Sequence, residues 1–209
     1  MALEPRDLAK YGPVIPVIVI QRVEDAVPLA QALVAGGVRV LEVTLRTPVA
    51  LEAIRRIIDA VPEAIVGAGT VRTCEDAQAA KLAGCQFAVS PGYLPEIGDE
   101  CLDMELPLLP GVSTATEVMS AAIEGFDFLK LFPASAVGGT SLLKALAGPF
   151  PDIAFCPTGG ITAESAREYL SLPNVLVVGG SWLTPEAAIQ AKDWSRITQL
   201  AKEATHLCE

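Results

Sequence analysis

Short apolar runs alternate with longer amphipathic stretches along the whole chain. In the stretches between the runs, apolar residues recur at three- and four-residue spacing, which is typical of helices that cover a core. The apolar runs are Val14–Ile20, Val38–Thr44, Ala64–Gly67, Phe87–Ser90, Pro107–Leu109, Phe126–Phe132, Ile153–Pro157 and Val175–Val178. The amphipathic stretches include Asp25–Ala35, Pro48–Ala60, Cys74–Ala83, Thr114–Ile123, Thr162–Leu170 and a closing helix over Asp193–Leu207. The pattern predicts eight β-strands, each followed by a helix or a short substitute.

Residues that commonly cap helices precede three of these stretches. Thr47 comes directly before Pro48, Thr73 has Asp76 three residues further on, and Thr162 opens the stretch that follows the seventh run. A threonine hydroxyl accepts a hydrogen bond from a free amide of the first helical turn, and proline is favoured at the first helical position. We therefore expect helices to begin at these three positions.

Eight alternating strand and helix units predict an α/β fold, a single-domain TIM (β/α)8 barrel over residues 1–209. An open doubly wound sheet gives a similar alternation and is the alternative. Two features favour the barrel. Charged residues lie inside strands, where a barrel has an interior mouth to receive them, and the last two strands end in double glycines, where barrels often bind phosphate.

Lys130 is the most informative single residue, because it stands alone in the apolar run Phe128–Phe132. Removing an ammonium from water is unfavourable, so burial shifts a lysine toward its free amine. A free amine attacks ketones and forms Schiff bases. The other interpretation is a lysine at an edge strand whose amine reaches solvent, but apolar neighbours on both sides indicate burial.

A second strand carries charge in the same way. With a period of two, Val40, Glu42, Thr44 and Arg46 share one face. Arg46 suits a bidentate contact with a carboxylate, and Glu42 would then act as a base. A structural ion pair between Glu42 and Arg46 is the alternative. Together with Lys130, these residues suggest imine chemistry on an anionic carbonyl compound.

The composition narrows the class of protein. The 209 residues are 51% hydrophobic and carry 15 basic against 25 acidic residues, a formal charge of −10. This balance argues against nucleic-acid binding, which needs clustered basic residues. No run reaches the roughly 20 apolar residues of a membrane helix, and residues 1–10 lack a signal-peptide apolar region. We expect a cytoplasmic protein with neither a nucleic-acid nor a membrane partner.

The cysteines and histidines offer little support for other chemistries. Cys74, Cys85, Cys101, Cys156 and Cys208 show no CxxC spacing, and His206 is the only histidine. With a single histidine, a catalytic Cys–His dyad or Ser–His–Asp triad is disfavoured, and the ligand set of a zinc site is missing. Cys156 could be a nucleophile, but buried, reduced cysteine is the favoured interpretation.

Glycine-rich segments follow several strands. Gly67-Ala68-Gly69-Thr70 and Ser90-Pro91-Gly92 are weak signals of close backbone approach to a ligand, since plain turns explain them nearly as well. Thr158-Gly159-Gly160 and Gly179-Gly180-Ser181 end consecutive strands. Amides freed by glycine, with a helix N-terminus behind them, bind phosphate without net positive charge. The pair of segments therefore favours a phosphate site.

Five motifs, in order, resemble the 2-keto-3-deoxy-6-phosphogluconate aldolase family from about Gly12 into the terminal helix. They are Leu41–Thr47, Val66–Val71, Phe128–Ala134, Phe155–Gly160 and Gly179–Trp182. The resemblance implies a TIM barrel, a homotrimer, and a class I aldolase that needs neither metal nor cofactor. The implied reaction is reversible cleavage of the keto acid phosphate to pyruvate and glyceraldehyde 3-phosphate, as in the Entner–Doudoroff pathway.

The same resemblance assigns roles to individual residues. Lys130 is the imine-forming lysine and Glu42 the general acid/base, while Arg46 and Thr70 bind the pyruvate carboxylate. Residues of the surrounding pocket are Pro91, Phe132 beside the lysine, Thr158 near the substrate hydroxyls, and the phosphate-binding set Gly159, Gly160, Gly180 and Ser181. Ser135 departs from the family, in which glutamate often follows Phe-Pro-Ala; this change touches the packing of the loop after the lysine strand and removes no catalytic group.

Several alternatives remain open. A phosphate-binding barrel of the isomerase or synthase kind would use Lys130 to stabilise charge, and a non-catalytic trimeric scaffold would keep the fold without turnover. Within the aldolase interpretation, 4-hydroxy-2-oxoglutarate and the galactonate epimer of the substrate are the rivals. Thr158 and the glycine segments favour the gluconate phosphate.

Overall fold

The chain folds as alternating parallel strands and helices in a computed structural model that describes residues 3–207. The strands are β1 (Val14–Ile18), β2 (Val40–Thr44), β3 (Ile65–Gly69), β4 (Phe87–Val89), β5 (Leu108–Leu109), β6 (Gly111–Val112), β7 (Phe128–Leu131), β8 (Ala154–Phe155) and β9 (Val178–Gly180). Every predicted apolar run contains or adjoins at least one of them. The predicted seventh and eighth runs yield short strands, β8 and β9, although neighbouring residues such as Cys156 and Thr158 still donate backbone hydrogen bonds to β7.

The helices cover one side of the strands. They are α1 (Ala26–Ala35), α2 (Ala50–Ala60), α3 (Cys74–Leu82), α4 (Pro95–Asp103), α5 (Ala115–Ile123), α6 (Gly139–Ala147), α7 (Ala163–Leu170), α8 (Glu186–Gln190) and α9 (Trp194–Thr205). Short 3-10 helices occupy Pro5–Tyr11 and Val23–Asp25. Helices α4, α6 and α8 were not singled out by the sequence pattern. No helix within residues 3–207 is long and apolar enough to cross a membrane.

The strands form two parallel sheets. The larger has the order β5-β4-β3-β2-β1-β9, and the smaller has the order β6-β7-β8. Only Pro110 separates β5 from β6. On the other side, parallel bridges join Phe155 to Val175 and Thr158 to Gly179. The fold is therefore α/β with a curled parallel sheet. Within the described residues the structure has nine strand segments where the sequence predicts eight.

The two faces of the strands bury separate cores. One cluster takes side chains from strands of both sheets, including Ile15, Val40, Phe87 and Phe128, together with Leu8 of the N-terminal 3-10 helix. The larger cluster packs the opposite face against the helices. Because both sheets turn one face toward a common interior, residues on that face of different strands come together inside the curl.

Two of the three expected helix caps are confirmed. Thr73 Oγ1 accepts a hydrogen bond from the amide of Asp76, and Thr162 Oγ1 accepts one from that of Ser165. The expectation for Thr47 is wrong, because α2 begins only at Ala50 and the Thr47 hydroxyl donates to the Ile20 carbonyl at 2.7 Å. Thr47 ties the segment after β2 to the segment after β1.

Candidate active site

Lys130 and Glu42 meet inside the curled sheet. Lys130 is on β7, two residues after the interior residue Phe128, and Glu42 is on β2, two residues after the interior residue Val40. Each residue is 3% exposed, and Lys130 Nζ lies 3.1 Å from Glu42 Oε1. The lysine does not reach solvent, so the edge-strand alternative does not apply. A buried amine thus faces a buried carboxylate across the interior.

Glycines on β3 make room for the carboxylate. Glu42 is in register with Gly67, and Thr44 with Gly69. A Cβ on Gly69 would fall 2.6 Å from Glu42 Cγ and close to the carboxylate itself, whereas a Cβ on Gly67 would run into the ring of Phe87. The sequence suggested that these glycines admit a ligand. At Gly69 the space is instead filled by the Glu42 side chain, which positions the carboxylate.

Arg46 and Thr70 lie together at the carboxyl ends of β2 and β3. Arg46 Nε donates to Thr70 Oγ1 at 3.0 Å, and Thr70 holds a backbone φ of 62°. Arg46 is exposed and does not pair with Glu42, whose ion-pair partner is Lys130. The structural ion pair between Glu42 and Arg46 considered above is therefore wrong. A guanidinium and a hydroxyl beside the interior mouth can bind a carboxylate.

Of two further predicted residues, Phe132 borders the lysine and Pro91 borders the strand next to it. Lys130 Nζ lies 5.3 Å from the centroid of the Phe132 ring, within the range of a cation–π contact. Gly111 is in register with Lys130, and a Cβ there would run into the Pro91 carbonyl and lie 2.7 Å from the Gly92 amide. Pro91 therefore lies one strand away from Lys130. The absence of a Gly111 side chain allows this approach.

Thr158 and the two double-glycine segments are neighbours. Thr158 is 4% exposed, bridges to Gly179, and fills the space that a Gly179 side chain would need. Gly159 and Gly160 hold φ values of +102° and +72°, in the region that favours glycine. The segments that end in Gly160 and Ser181 therefore run side by side.

Three amides of these segments, those of Gly159, Gly160 and Ser181, are free to bind an anion. Among residues 3–207, no protein group accepts a hydrogen bond from the amides of Gly159, Gly160 or Ser181. A capped helix, α7, follows the first segment, as expected. The second is followed by a turn in which the Thr184 amide donates to the Ser181 carbonyl, and α8 starts only at Glu186. The expected helix N-terminus behind Gly180 and Ser181 is therefore wrong.

Cys156, which the sequence predicts to be a buried, reduced cysteine, is a neighbour of the site. It is 2% exposed, and its Sγ lies 3.8 Å from Thr158 Oγ1. Burial raises the pKa of the Cys156 thiol to about 12, against the smaller lowering effects of the Lys130 charge and the Thr158 hydrogen bond. The thiol stays protonated near neutral pH and is a poor nucleophile. Its position two residues before Thr158 on an interior face was the signal for its proximity.

Comparisons with known proteins agree with this geometry. The model of the KDPG and KHG aldolase family matches residues 6–200. A 2-dehydro-3-deoxy-phosphogluconate aldolase of Pseudoalteromonas atlantica is 52% identical over 95% of this chain and 93% of its own length. The KHG/KDPG aldolase of Escherichia coli K12 is 53% identical over 92% and 91% of the two chains.

A solved structure shows the corresponding similarity in three dimensions. The KDPG aldolase of Legionella pneumophila, with pyruvate captured as a covalent carbinolamine intermediate, superposes with a TM-score of 0.96. It is 48% identical, and the match covers 98% of this chain and 100% of that one. The chain described here belongs to the KDPG and KHG aldolase family.

Proposed function

We propose that this chain is a class I aldolase that reversibly cleaves 2-keto-3-deoxy-6-phosphogluconate to pyruvate and glyceraldehyde 3-phosphate. The observation that carries the proposal is the buried Lys130 Nζ, 3.1 Å from Glu42 Oε1, in a chain of this family. It is a carbon–carbon lyase. Lys130 is the nucleophile and Glu42 the general acid/base, and the imine itself supplies the electron sink, so that no cofactor enters the reaction.

Imine formation uses both members of the pair. The Lys130 ammonium passes a proton to Glu42, which replaces two buried charges by two neutral groups. The free amine adds to the C2 ketone of the substrate and forms a carbinolamine. Glu42 returns its proton to the departing C2 oxygen, water leaves, and a protonated imine remains opposite the Glu42 carboxylate.

Bond cleavage then reuses the carboxylate. Glu42 takes the proton of the C4 hydroxyl, directly or through a water molecule, while the C3–C4 bond breaks and its electron pair passes into the imine. Glyceraldehyde 3-phosphate leaves and an enamine remains. Glu42 gives its proton to C3 of the enamine, and hydrolysis of the resulting imine releases pyruvate and restores the lysine.

Binding residues orient the substrate along the carboxyl ends of the strands. Arg46 and Thr70, joined at 3.0 Å, take the keto acid carboxylate, with Pro91 and Phe132 beside the reacting carbon. Thr158 faces the hydroxyls of the middle carbons. The backbone at Gly159, Gly160, Gly180 and Ser181 takes the phosphate. The family resemblance implies these roles, and the proximity of the residues supports them. A substrate fixed by these residues loses less translational and rotational freedom on reaching the transition state.

The same site accepts 4-hydroxy-2-oxoglutarate as a second substrate in this proposal. Both compounds share the 2-keto acid end and a 4-hydroxyl group, which are the parts that Lys130, Glu42 and Arg46 engage. They differ in the distal group, a phosphate or a carboxylate. The name of the Escherichia coli relative, KHG/KDPG aldolase, supports this dual range.

The proposal includes a closed (β/α)8 barrel formed as a single domain by residues 1–209. The single residue Pro110 between β5 and β6 supports closure on one side, and the bridges from Phe155 and Thr158 support it on the other. When β5 and β6 are counted as one strand, the strands number eight, as a (β/α)8 barrel requires.

We also place the protein in the cytoplasm, in the Entner–Doudoroff pathway, as a homotrimer. Support for an assembly comes from large apolar side chains that are more than half exposed on consecutive outer helices, namely Leu82, Leu102, Met119 and Ile123. Large apolar side chains that remain exposed on consecutive helices are typical of an interaction surface.

Pyruvate release tests the proposed function. Wild-type protein given the 6-phosphate substrate should release pyruvate, measured by oxidation of NADH with lactate dehydrogenase. Lys130→Met should fall to background, whereas the matched Lys144→Met, on the exposed face of α6, should keep wild-type activity. Absence of release by the wild type, or release by Lys130→Met, would contradict the proposal.

A further inference from the structure

Ser135 lies beside the first double-glycine segment and has no role in the proposed mechanism. The loop after β7 is held against the segment after β8 by two backbone hydrogen bonds. The amide of Ala134 donates to the Thr158 carbonyl at 2.8 Å, and that of Ser135 donates to the Gly159 carbonyl at 3.1 Å. The backbone of Ser135 is therefore fixed relative to Gly159 and Gly160, although its side chain is exposed.

The Ser135 hydroxyl lies over the Cα atom of Gly160. A Cβ built on Gly160 would fall 2.8 Å from Ser135 Cβ and would clash directly with Ser135 Oγ. The hydroxyl thus fills the space that a side chain at residue 160 would take. It lies next to the backbone of Gly160, whose φ is +72°. Within residues 3–207, the Ser135 hydroxyl makes no hydrogen bond to another protein group.

We infer that Ser135 is a specificity-determining residue whose hydroxyl donates a hydrogen bond to the phosphate held by the Gly159–Gly160 segment. The inference rests on the proposed function, because it requires the phosphate of the substrate to bind there. A hydroxyl is a neutral donor that adds to the backbone amides without a charge of its own. A hydrogen bond to an ionised oxygen is stronger than one between neutral groups.

This role concerns the distal end of the substrate alone. Lys130, Glu42 and Arg46 engage the keto acid end, which both candidate substrates share, so Ser135 should not affect imine formation with pyruvate. It should favour the phosphorylated compound over 4-hydroxy-2-oxoglutarate, because the distal carboxylate of the latter is bonded directly to C4 and does not extend as far as a phosphate on the C6 oxygen. Ser135 therefore contributes to discrimination between the two substrates.

Three variants test the inference by a split between KM and kcat. Ser135→Ala should raise KM for the 6-phosphate substrate by about tenfold, the effect of one charge-assisted hydrogen bond, with little change in kcat. Its kcat/KM for 4-hydroxy-2-oxoglutarate should stay within about twofold of wild type. Ser135→Glu introduces the residue that family members often carry and removes the hydroxyl donor, so KM for the 6-phosphate substrate should rise to about the value of Ser135→Ala. Ser120 is an exposed serine on α5, and Ser120→Ala is the matched control. This variant should leave KM and kcat unchanged for both substrates.

Inhibition by inorganic phosphate gives a second readout. Its inhibition constant should rise in Ser135→Ala in parallel with KM. Equal KM values for wild type and Ser135→Ala, or equal losses with both substrates, would overturn the inference while leaving the aldolase intact. A wild type that releases no pyruvate would instead overturn the proposed function, so the two failures are distinguishable.

Discussion

At the scale of single residues, the site depends on how one carboxylate is placed. Glu42 is 3% exposed and touches Lys130, and its position follows from the space that Gly69 leaves on the neighbouring strand. Without this partner the amine could still form an imine, more slowly and with water as the proton carrier, but cleavage would lack a group placed to move protons at C3 and C4. The roles of nucleophile and acid/base are therefore separable by mutation.

Replacement of Glu42 by glutamine should separate imine formation from proton transfer. Glu42→Gln keeps the shape of the side chain but removes the exchangeable carboxyl proton. We expect deuterium exchange at the pyruvate methyl group, followed by NMR, to fall by about 10²- to 10⁴-fold. Imine formation with pyruvate, measured by borohydride trapping, should fall much less. Equal losses in the two assays would contradict the assignment of Glu42.

Replacement of Gly69 by alanine should displace the same carboxylate indirectly. The new methyl group would lie 2.6 Å from Glu42 Cγ, so the side chain must move. We expect cleavage to slow by about tenfold to a hundredfold, since a shift near 1 Å in a catalytic group has effects of that size. Gly148→Ala is the control, because no atom lies within 4 Å of a Cβ there. Similar activity for wild type and Gly69→Ala would argue that Glu42 is not held by this contact.

At the scale of elements, the hydrophobic pattern located the strands and most helices. The register of the strand pairs could not be predicted, because it depends on tertiary contacts that the hydrophobic pattern does not specify. Lys130 and Glu42 could be named from their apolar surroundings. The pairing of Arg46 with Thr70 needed the register of β2 and β3. Helix α4 was missed because Pro95–Asp103 combines glycine, proline and acidic residues. The cap at Thr47 was misplaced because its hydroxyl donates to the Ile20 carbonyl in the segment after β1.

The cap of α3 gives a prediction at this scale. Thr73 Oγ1 accepts from the Asp76 amide at 3.1 Å, so Thr73→Ala leaves a helix amide without its acceptor. We expect the free energy of unfolding to fall by about 1 kcal/mol, measured by urea denaturation. Thr116→Ala, on the exposed face of α5, should change it by less than about 0.5 kcal/mol. A loss no larger than that of the control would show that the cap is energetically unimportant.

At the scale of the whole molecule, buried thiols link stability to alkaline pH. Burial raises the pKa of Cys85 and Cys156 to about 12 and that of Cys101 to about 11, from 9.0 in the unfolded chain. Above pH 9 the unfolded chain loses these protons and the folded chain keeps them. Their contribution to stability is therefore complete below pH 9 and is lost as the pH rises toward the folded-state values.

The free energy of unfolding should accordingly decline between pH 9 and pH 11. Each such thiol contributes a slope of about 1.4 kcal/mol per pH unit in that range. Urea denaturation at several pH values measures the total slope, and Cys156→Ala should make it shallower by that amount. An unchanged slope in this variant would indicate that the Cys156 thiol ionises in the folded protein.

The oligomeric state can be tested at the same scale. The proposed homotrimer should have three times the 21.9 kDa mass of one chain in native mass spectrometry. Met119→Lys and Ile123→Lys place charges on two of the exposed apolar positions of α5, which are 55% and 79% exposed. If this face forms the interface, both variants should dissociate to monomers at low micromolar concentration, and a persistent trimer would place the interface elsewhere.

The most direct test of the central claim is capture of the imine on its lysine. Wild-type protein is incubated with carbon-13-labelled pyruvate, reduced with borohydride, digested and analysed by peptide mass spectrometry. We predict a stable labelled adduct on the peptide that contains Lys130, and none on Lys130→Met treated in the same way. A labelled adduct that persists in Lys130→Met, or wild-type protein that forms none, would contradict the assignment of this buried amine as the nucleophile.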